Sequence, residues 1–487
     1  MQERTSKAGD EPGKGRWDEL LRDGRALYTT LIIGGVALHG TQILVIAIIM
    51  PSIVADIGGA VYYTWGSMLY TIGSIVGASS TGPVWARFGA RKGYTLGATV
   101  FGLGTLWCAL APDMASLILA RGLQGWAGGL IAGGGMAMIT SLFDASLRTR
   151  VLAVSQATFT VCHLSGPLLG GSFAAMHWWR GSFLVMLPIV AAFAVLAWVK
   201  IPERFDTEAA SGAEPAFPFF RLATLSAGVF CVAATGPLDN TMASLVLVAA
   251  AVGLVSLAFR LDAKAPNKLF PSDTLSLKAP VGPALAILTL HSVAQTAVML
   301  FLPLLLLGVH GVSPVLINIV TIVLSIGWTT GTLIVSGWSG TRERLALLAG
   351  PMLALAALIG MTLVARNTDI GLVLLGILGF VMGLGIGSYH VHLIARTMEG
   401  AAREEHRTTA AALTSSRSLG TAFGAAIAGV VAHAAGLGSV GDPVAVGRAV
   451  TAVFTSCWIP LGLACLCMLQ FLRLTRSGMN AGGAPDK

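Results

Sequence analysis

Six histidines and two arginines lie inside long apolar stretches of this 487-residue chain, where an ionisable group is costly to hold. The histidines are His39, His163, His291, His390, His392 and, nearer an end, His433; the arginines are Arg121 and Arg417. Histidine titrates at about 6.5 when unperturbed, so it can take up or release a proton under physiological conditions. Helical spacing gathers polar partners beside several of them. His39 and Gln42 share a face at i, i+3; Gln156, Thr160 and His163 follow at i, i+4, i+7; His291 and Gln295 pair at i, i+4. Tyr70 and Gln124 complete the candidate set.

The acidic side of the ledger is empty at depth. Every Asp and Glu falls in a loop, a terminus or a helix end. A cation would meet Arg121 and Arg417 with no counter-charge, so a bound small molecule is expected to be neutral or anionic. No metal site is expected, because His390 and His392 stand two apart, on opposing helix faces. The six cysteines (Cys108, Cys162, Cys231, Cys457, Cys465 and Cys467) all sit in apolar runs without ligand or disulfide spacing, and read as packing residues. No Gly-rich phosphate loop or soluble catalytic constellation is present, so neither a cofactor nor an enzyme is expected.

The elements that must position these groups follow from composition. Apolar residues make up 55% of the chain and charged residues only 11%, too few to cover a soluble domain of this length. The apolar residues come in runs of roughly twenty, enough to cross a bilayer as helix. Such spans fall near 28–50, 61–82, 93–111, 115–140, 150–173, 180–200, 218–236, 242–260, 282–308, 314–336, 345–365, 369–394, 408–434 and 448–472. The expected class is therefore all-α, a polytopic membrane protein of about fourteen helices.

The net charge of +8 could suggest nucleic acid, but its distribution argues against that. One set of loops carries Arg87, Arg91, Lys92, Arg148, Arg150, Lys200, Arg204, Arg260, Lys264, Lys268, Arg342, Arg344, Arg396, Arg403, Arg407, Arg473 and Arg476. The other has Arg180, Arg366 and Arg448 beside Asp56, Asp113, Asp239, Asp369 and Asp442. The positive-inside rule places the basic loops and both termini in the cytoplasm. The first residues are polar, without a small-residue cleavage site, and do not read as a secretory signal.

The polar breaks at 201–217 and 261–280 bracket two spans and divide the chain. The expected plan is a cytoplasmic segment at 1–27, a six-helix bundle at 28–200, a linker with a two-helix insert at 201–280, a second bundle at 281–473 and a tail at 474–487. Gly125, Gly129 and Gly133 repeat at four-residue steps, as do Gly379, Gly383 and Gly387 in the second half. Glycine at that spacing lets helices approach closely, and the recurrence suggests two related halves.

Several segments resemble signatures of the major facilitator superfamily. Gly82-Pro83-Val84-Trp85-Ala86-Arg87-Phe88-Gly89-Ala90-Arg91-Lys92 looks like the loop between its second and third helices, with Ala86 where an Asp is usual. Ala120-Arg121-Gly122-Leu123-Gln124-Gly125 resembles the fourth-helix signature, and Ser165-Gly166-Pro167-Leu168-Leu169-Gly170-Gly171 the antiporter motif of the fifth. Trp178-Trp179-Arg180 and Arg417-Ser418-Leu419-Gly420 resemble the fourteen-helix drug:proton antiporter branch.

The resemblance implies a secondary transporter, an exporter of small organic molecules, acting in a bilayer as a monomer. In it Arg121 would serve coupling, Arg87, Arg91 and Lys92 would latch one state, and Gly166, Pro167, Gly170 and Gly171 would bend and seat the fifth helix. The branch usually places an Asp nine residues before the first-helix Pro; counting back from Pro51 gives Gln42. Any proton coupling is therefore expected to run through histidine, with His39 and His163 best placed. A facilitator or importer of an organic anion or neutral metabolite is the alternative.

Overall fold

The computed structural model describes residues 25–143, 145–203, 218–235, 238, 240–265, 268–367, 371–402, 405–438 and 442–481. Among them the chain is entirely helical apart from turns. In order the helices are α1 (Arg25–Ile57), α2 (Trp65–Leu110), α3 (Met114–Leu142), α4 (Ala145–Ala175), α5 (Gly181–Leu184), α6 (Met186–Lys200), α7 (Phe219–Ala234), α8 (Thr241–Ala263), α9 (Val281–Gly308), α10 (Pro314–Val335), α11 (Gly340–Val364), α12 (Gly371–Gly400), α13 (His406–Ala434), α14 (Pro443–Ser456) and α15 (Trp458–Ala481). Among the described residues, eight helical stretches are long and apolar enough to cross a membrane, and two shorter apolar helices join them. In hydrocarbon a helix satisfies its own backbone, so these sequences have no competing fold.

The elements differ in detail from the expected spans. The second and third merge into the 46-residue α2, where only Gly89 leaves helical geometry (φ 80°, ψ 165°). The basic turn expected there shrinks to that residue, because glycine alone adopts this conformation without strain. Conversely, the sixth and last expected spans are each broken, α5 from α6 at Val185 and α14 from α15 at Cys457. Capping residues set several starts. Asp113 accepts from the Ser116 amide (2.8 Å), Asn240 from Ala243 (3.1 Å) and Asp442 from Val444 (2.9 Å). All three lie at the end of the molecule with few basic residues, here called the acidic end.

Two halves pack by the same contacts. In the first, α2 lies along α3 and α1 along α4; in the second, α10 lies along α12 and α9 along α13. Glycines make these approaches possible. A Cβ at Gly125 would overlap the Tyr70 carbonyl and one at Gly129 that of Ser74; at Gly383 and Gly387 it would overlap the carbonyls of Leu324 and Trp328. The recurrence extends to α4, where a Cβ at Gly166 would come 2.8 Å from Leu44 Cβ, and to α13, where Gly420 and Gly424 abut the Thr289 and Val293 carbonyls. Gly129 and Gly383, Gly166 and Gly420, and Gly170 and Gly424 are separated by one constant interval, so the α1–α4 contact reappears as the α9–α13 contact.

The halves meet through α4 on α10, α2 on α13 and α1 on α9, while α7 and α8 pair and α7 leans on α13. Their union is lopsided. At the acidic end one apolar core takes in Val45–Val54 of α1, Tyr63, Ala294–Leu306 of α9 and Val446–Phe454 of α14. There the Tyr63 hydroxyl donates to the Leu300 carbonyl (3.1 Å), and its ring lies 5.3 Å from that of Phe301. Toward the opposite, basic end the core splits. One cluster, including Leu31, Tyr94, Phe143 and Ile201, belongs to the first half; another, including Leu285, Tyr389, Leu413 and Phe471, belongs to the second half and the insert, with Ile75 of α2 packed at its edge. Among the described residues, the apolar core is shared between the halves at the acidic end and divided toward the basic end.

Candidate functional site

In the first half α1, α2 and α3 bring five of the sequence candidates together. Arg121 is fully buried on α3, held by close packing of that helix on α2. Its Nη1 donates to Gln124 Oε1 (2.6 Å), its Nη2 to the Gln42 backbone carbonyl on α1 (3.3 Å), and its guanidinium lies 4.0 Å over the Tyr70 ring. Gln124 passes the chain on, donating from Nε2 to Thr105 Oγ1 (2.8 Å). The Tyr70 hydroxyl meets His39 Nδ1 at 2.9 Å and the His39 carbonyl at 3.2 Å, with the two rings stacked. Gln42 is wholly buried, and neither atom of its amide has a partner among the described residues. The candidate residues thus form one continuous polar seam. Thr105 and Cys108, which complete it, were missed, because such residues are ordinary in apolar runs.

The second half holds a counterpart. His291 on α9 lies edge-on to Trp328 of α10 (6.3 Å) and to Tyr389 of α12 (5.8 Å), while His390 lies 5.3 Å from Trp328. Arg417 on α13 is within electrostatic reach of His291, His390 and Tyr389, and Gln295 neighbours His291. Each half therefore contains an arginine, a tyrosine and a histidine from its first helix. None of the described ion pairs includes Arg121 or Arg417. His392 points elsewhere, its Nε2 2.8 Å from the Val335 carbonyl. The side chains of Gln156, His163 and Pro167 lie outside the described residues.

No Asp or Glu lies mid-helix among the described residues. Two carboxylates are nevertheless buried, both at helix ends facing the basic end, and both paired. Glu343, 6% exposed, takes two bonds from Arg396 (2.6 and 2.7 Å), and Asp262, 3% exposed, pairs with Arg221 while accepting from the Leu269 and Phe270 amides. These are clasps between helix ends.

The basic-loop motif behaves unevenly. Arg91 donates from Nε to the Ile201 carbonyl (2.7 Å) and lies 3.7 Å from Glu203; the Ala90 amide also reaches the Glu203 carbonyl. Gly89 is needed here, since a Cβ would come 2.6 Å from that carbonyl. Arg87 and Lys92 are exposed, and Gly82 has open space around it. On α4, Gly166 and Gly170 pack against α1, and Gly171 is buried. At the acidic end, a cavity of about 970 Å³ is lined by Asp56, Trp178 and Arg180, apart from both arginine clusters. There Arg180 pairs with Asp56 and lies 4.1 Å over Trp179.

Two repeated helical halves, joined at one end and carrying polar clusters at mid-depth, are the plan of a secondary membrane transporter. The model of the Major Facilitator Superfamily matches residues 32–425, and the chain belongs to that family. A probable multidrug-efflux transporter of Mycobacterium tuberculosis is 33% identical over 451 residues, covering 91% of this chain and 94% of its own length. An efflux pump of Dothistroma septosporum is 29% identical over 58% of this chain and 50% of its own. Among solved structures, a D-xylose–proton symporter superposes with a TM-score of 0.62 at 15% identity, covering 92% of this chain and 98% of its own. A bacterial homologue of the human lysosomal transporter Spinster, inward-facing and unoccupied, gives 0.61 at 14% identity, covering 96% and 100%.

Proposed function

We propose that this transporter exports small organic molecules by alternating access and that the structure is its inward-facing state. The observation that carries this is the lopsided core, shared at the acidic end and divided at the basic end. Splitting α2 at Gly89 and joining α5 with α6 and α14 with α15 supports a reading of fourteen crossings. That even number leaves both termini on one side, and the positive-inside rule makes that side the cytoplasm of a cell membrane. The parted end then opens where an exporter loads. The bundles at 28–200 and 281–473 are the rocking bodies, with 201–280 an insert, and the protein works as a monomer.

Efflux is supported by the mycobacterial relative, which is matched over nearly its whole length. Substrates are neutral or anionic in preference to cationic, because both mid-depth arginines lack a carboxylate partner among the described residues. Proton coupling, where it operates, runs through histidine, with His39 and His163 the carriers. The test is uptake into sealed vesicles of both orientations, across charged and neutral compounds, with an imposed pH gradient. Accumulation in everted vesicles supports export; a protein that only equilibrates its substrate supports a facilitator, the reading that the lack of a mid-helix acid favours.

A further inference from the structure

The two arginines are alike in their company and different in their freedom. Arg121 is enclosed: Gln124 and the Gln42 carbonyl take its two terminal nitrogens and the Tyr70 ring its face, while Nε is buried without a partner among the described residues. An anion reaching it would have to displace bonds that tie α3 to α1. Arg417 is only half-buried, and its charged or titratable neighbours are His291, His390 and Tyr389. It stands on α13, the helix that packs on α9 of its own half and on α2 of the other. His390, within electrostatic reach of it and 8% exposed, has a ring nitrogen, Nδ1, without a hydrogen-bond partner among the described residues.

We infer that Arg417, together with His390, is the docking point for the carboxylate of a planar organic anion, whose ring lies against the Trp328–His291–Tyr389 cluster. The inference rests on the exporter reading and names its substrate class. The chemistry is that of a guanidinium meeting a carboxylate through two parallel bonds, strengthened by low local dielectric. His390 Nδ1 supplies a further donor in the tautomer that protonates it. The rings of Trp328, His291 and Tyr389 already meet edge to face, the arrangement in which an aromatic guest gains most from ring edges and faces. Among the described residues a cationic guest finds no counter-charge there.

The test is equilibrium binding of radiolabelled 1-naphthoate to the purified full-length protein in nanodiscs, with naphthalenemethanol and naphthylmethylammonium as neutral and cationic isosteres. Naphthoate should bind about tenfold or more tighter than the alcohol, the scale of one charge-assisted contact. Arg417→Gln should remove that advantage while leaving alcohol affinity unchanged, and Arg417→Lys should restore part of it. Arg366→Gln should leave all three affinities unchanged; Arg366 is bonded to Thr451 and the Gly447 carbonyl at the acidic end.

Two results would overturn the inference. One is an Arg417→Gln protein that binds naphthoate as tightly as the unmodified one. The other needs no variant: unmodified protein that prefers the ammonium. Transport distinguishes the inference from the reading beneath it. Export of neutral or cationic compounds without naphthoate binding sinks the anion site alone, whereas failure to move any compound sinks the exporter.

Discussion

Arg121 works inward: its bonds go to the protein's own carbonyl, amide and ring, so its charge sets the shape of the α1–α3 seam. Arg121→Ala strips the buried Gln124 Oε1 of its charged donor, at about 1–3 kcal/mol, and removes the one side-chain bond that reaches the Gln42 carbonyl. Transport should fall by about tenfold or more, with the protein still inserted. Arg366→Ala at the acidic end should change it far less, and radiolabelled efflux compares the two. Equal, small effects would reduce Arg121 to packing. The His39 side chain is reached by the Tyr70 hydroxyl from α2 and lies near Arg121 of α3. His39→Gln with His163→Gln should abolish accumulation driven by a pH difference and spare substrate exchange at equal pH. Persistence of pH-driven accumulation would exclude these two as carriers. Most of the seam was legible in sequence, since a charge or amide inside an apolar run is conspicuous. Tyr389 and Trp328 were not, because aromatic residues in such runs usually only pack.

At the scale of elements, the glycine contacts are the strongest constraint. Gly166→Leu with Gly170→Leu inserts branched side chains where α4 meets α1, at 2.8 Å from Leu44 Cβ and 3.2 Å from the Val45 carbonyl. Transport should be lost while membrane insertion, read by surface labelling and chromatography, persists. Leucine at lipid-facing positions of similar depth should be tolerated. Normal transport by the double mutant would make the motif a chance match. The same logic extends by repeat: Gly383→Leu should damage the second half as Gly129→Leu damages the first. The four-residue glycine steps were visible in sequence. The α1–α4 and α9–α13 correspondence was also there as a constant interval between Gly166 and Gly420, but Pro167 has no proline counterpart in α13 and the motif hid its twin. Helix limits were less legible. Nothing in composition says that the basic turn at 82–92 contracts to one left-handed glycine, since that depends on the Glu203 carbonyl arriving from the end of α6.

At the scale of the whole molecule, orientation and state are separate claims. Reporters fused after residue 480 or within 264–270 should be cytoplasmic, and one within 436–446 exterior; an exterior signal from 264–270 would undo the crossing count. That the chain is a bundle of membrane helices brought close by repeated glycines was legible from hydropathy and glycine spacing. Which end is open was not, since it depends on contacts such as Tyr63 to Leu300 between residues far apart in sequence. The most direct test of the account is transport by one protein sample in vesicles of opposite orientation, given neutral, anionic and cationic aromatic compounds and an imposed pH gradient. The account predicts that everted vesicles with an acidic interior concentrate neutral or anionic compounds, and that right-side-out vesicles do not. Accumulation confined to right-side-out vesicles, or equilibration without accumulation in either, would contradict it.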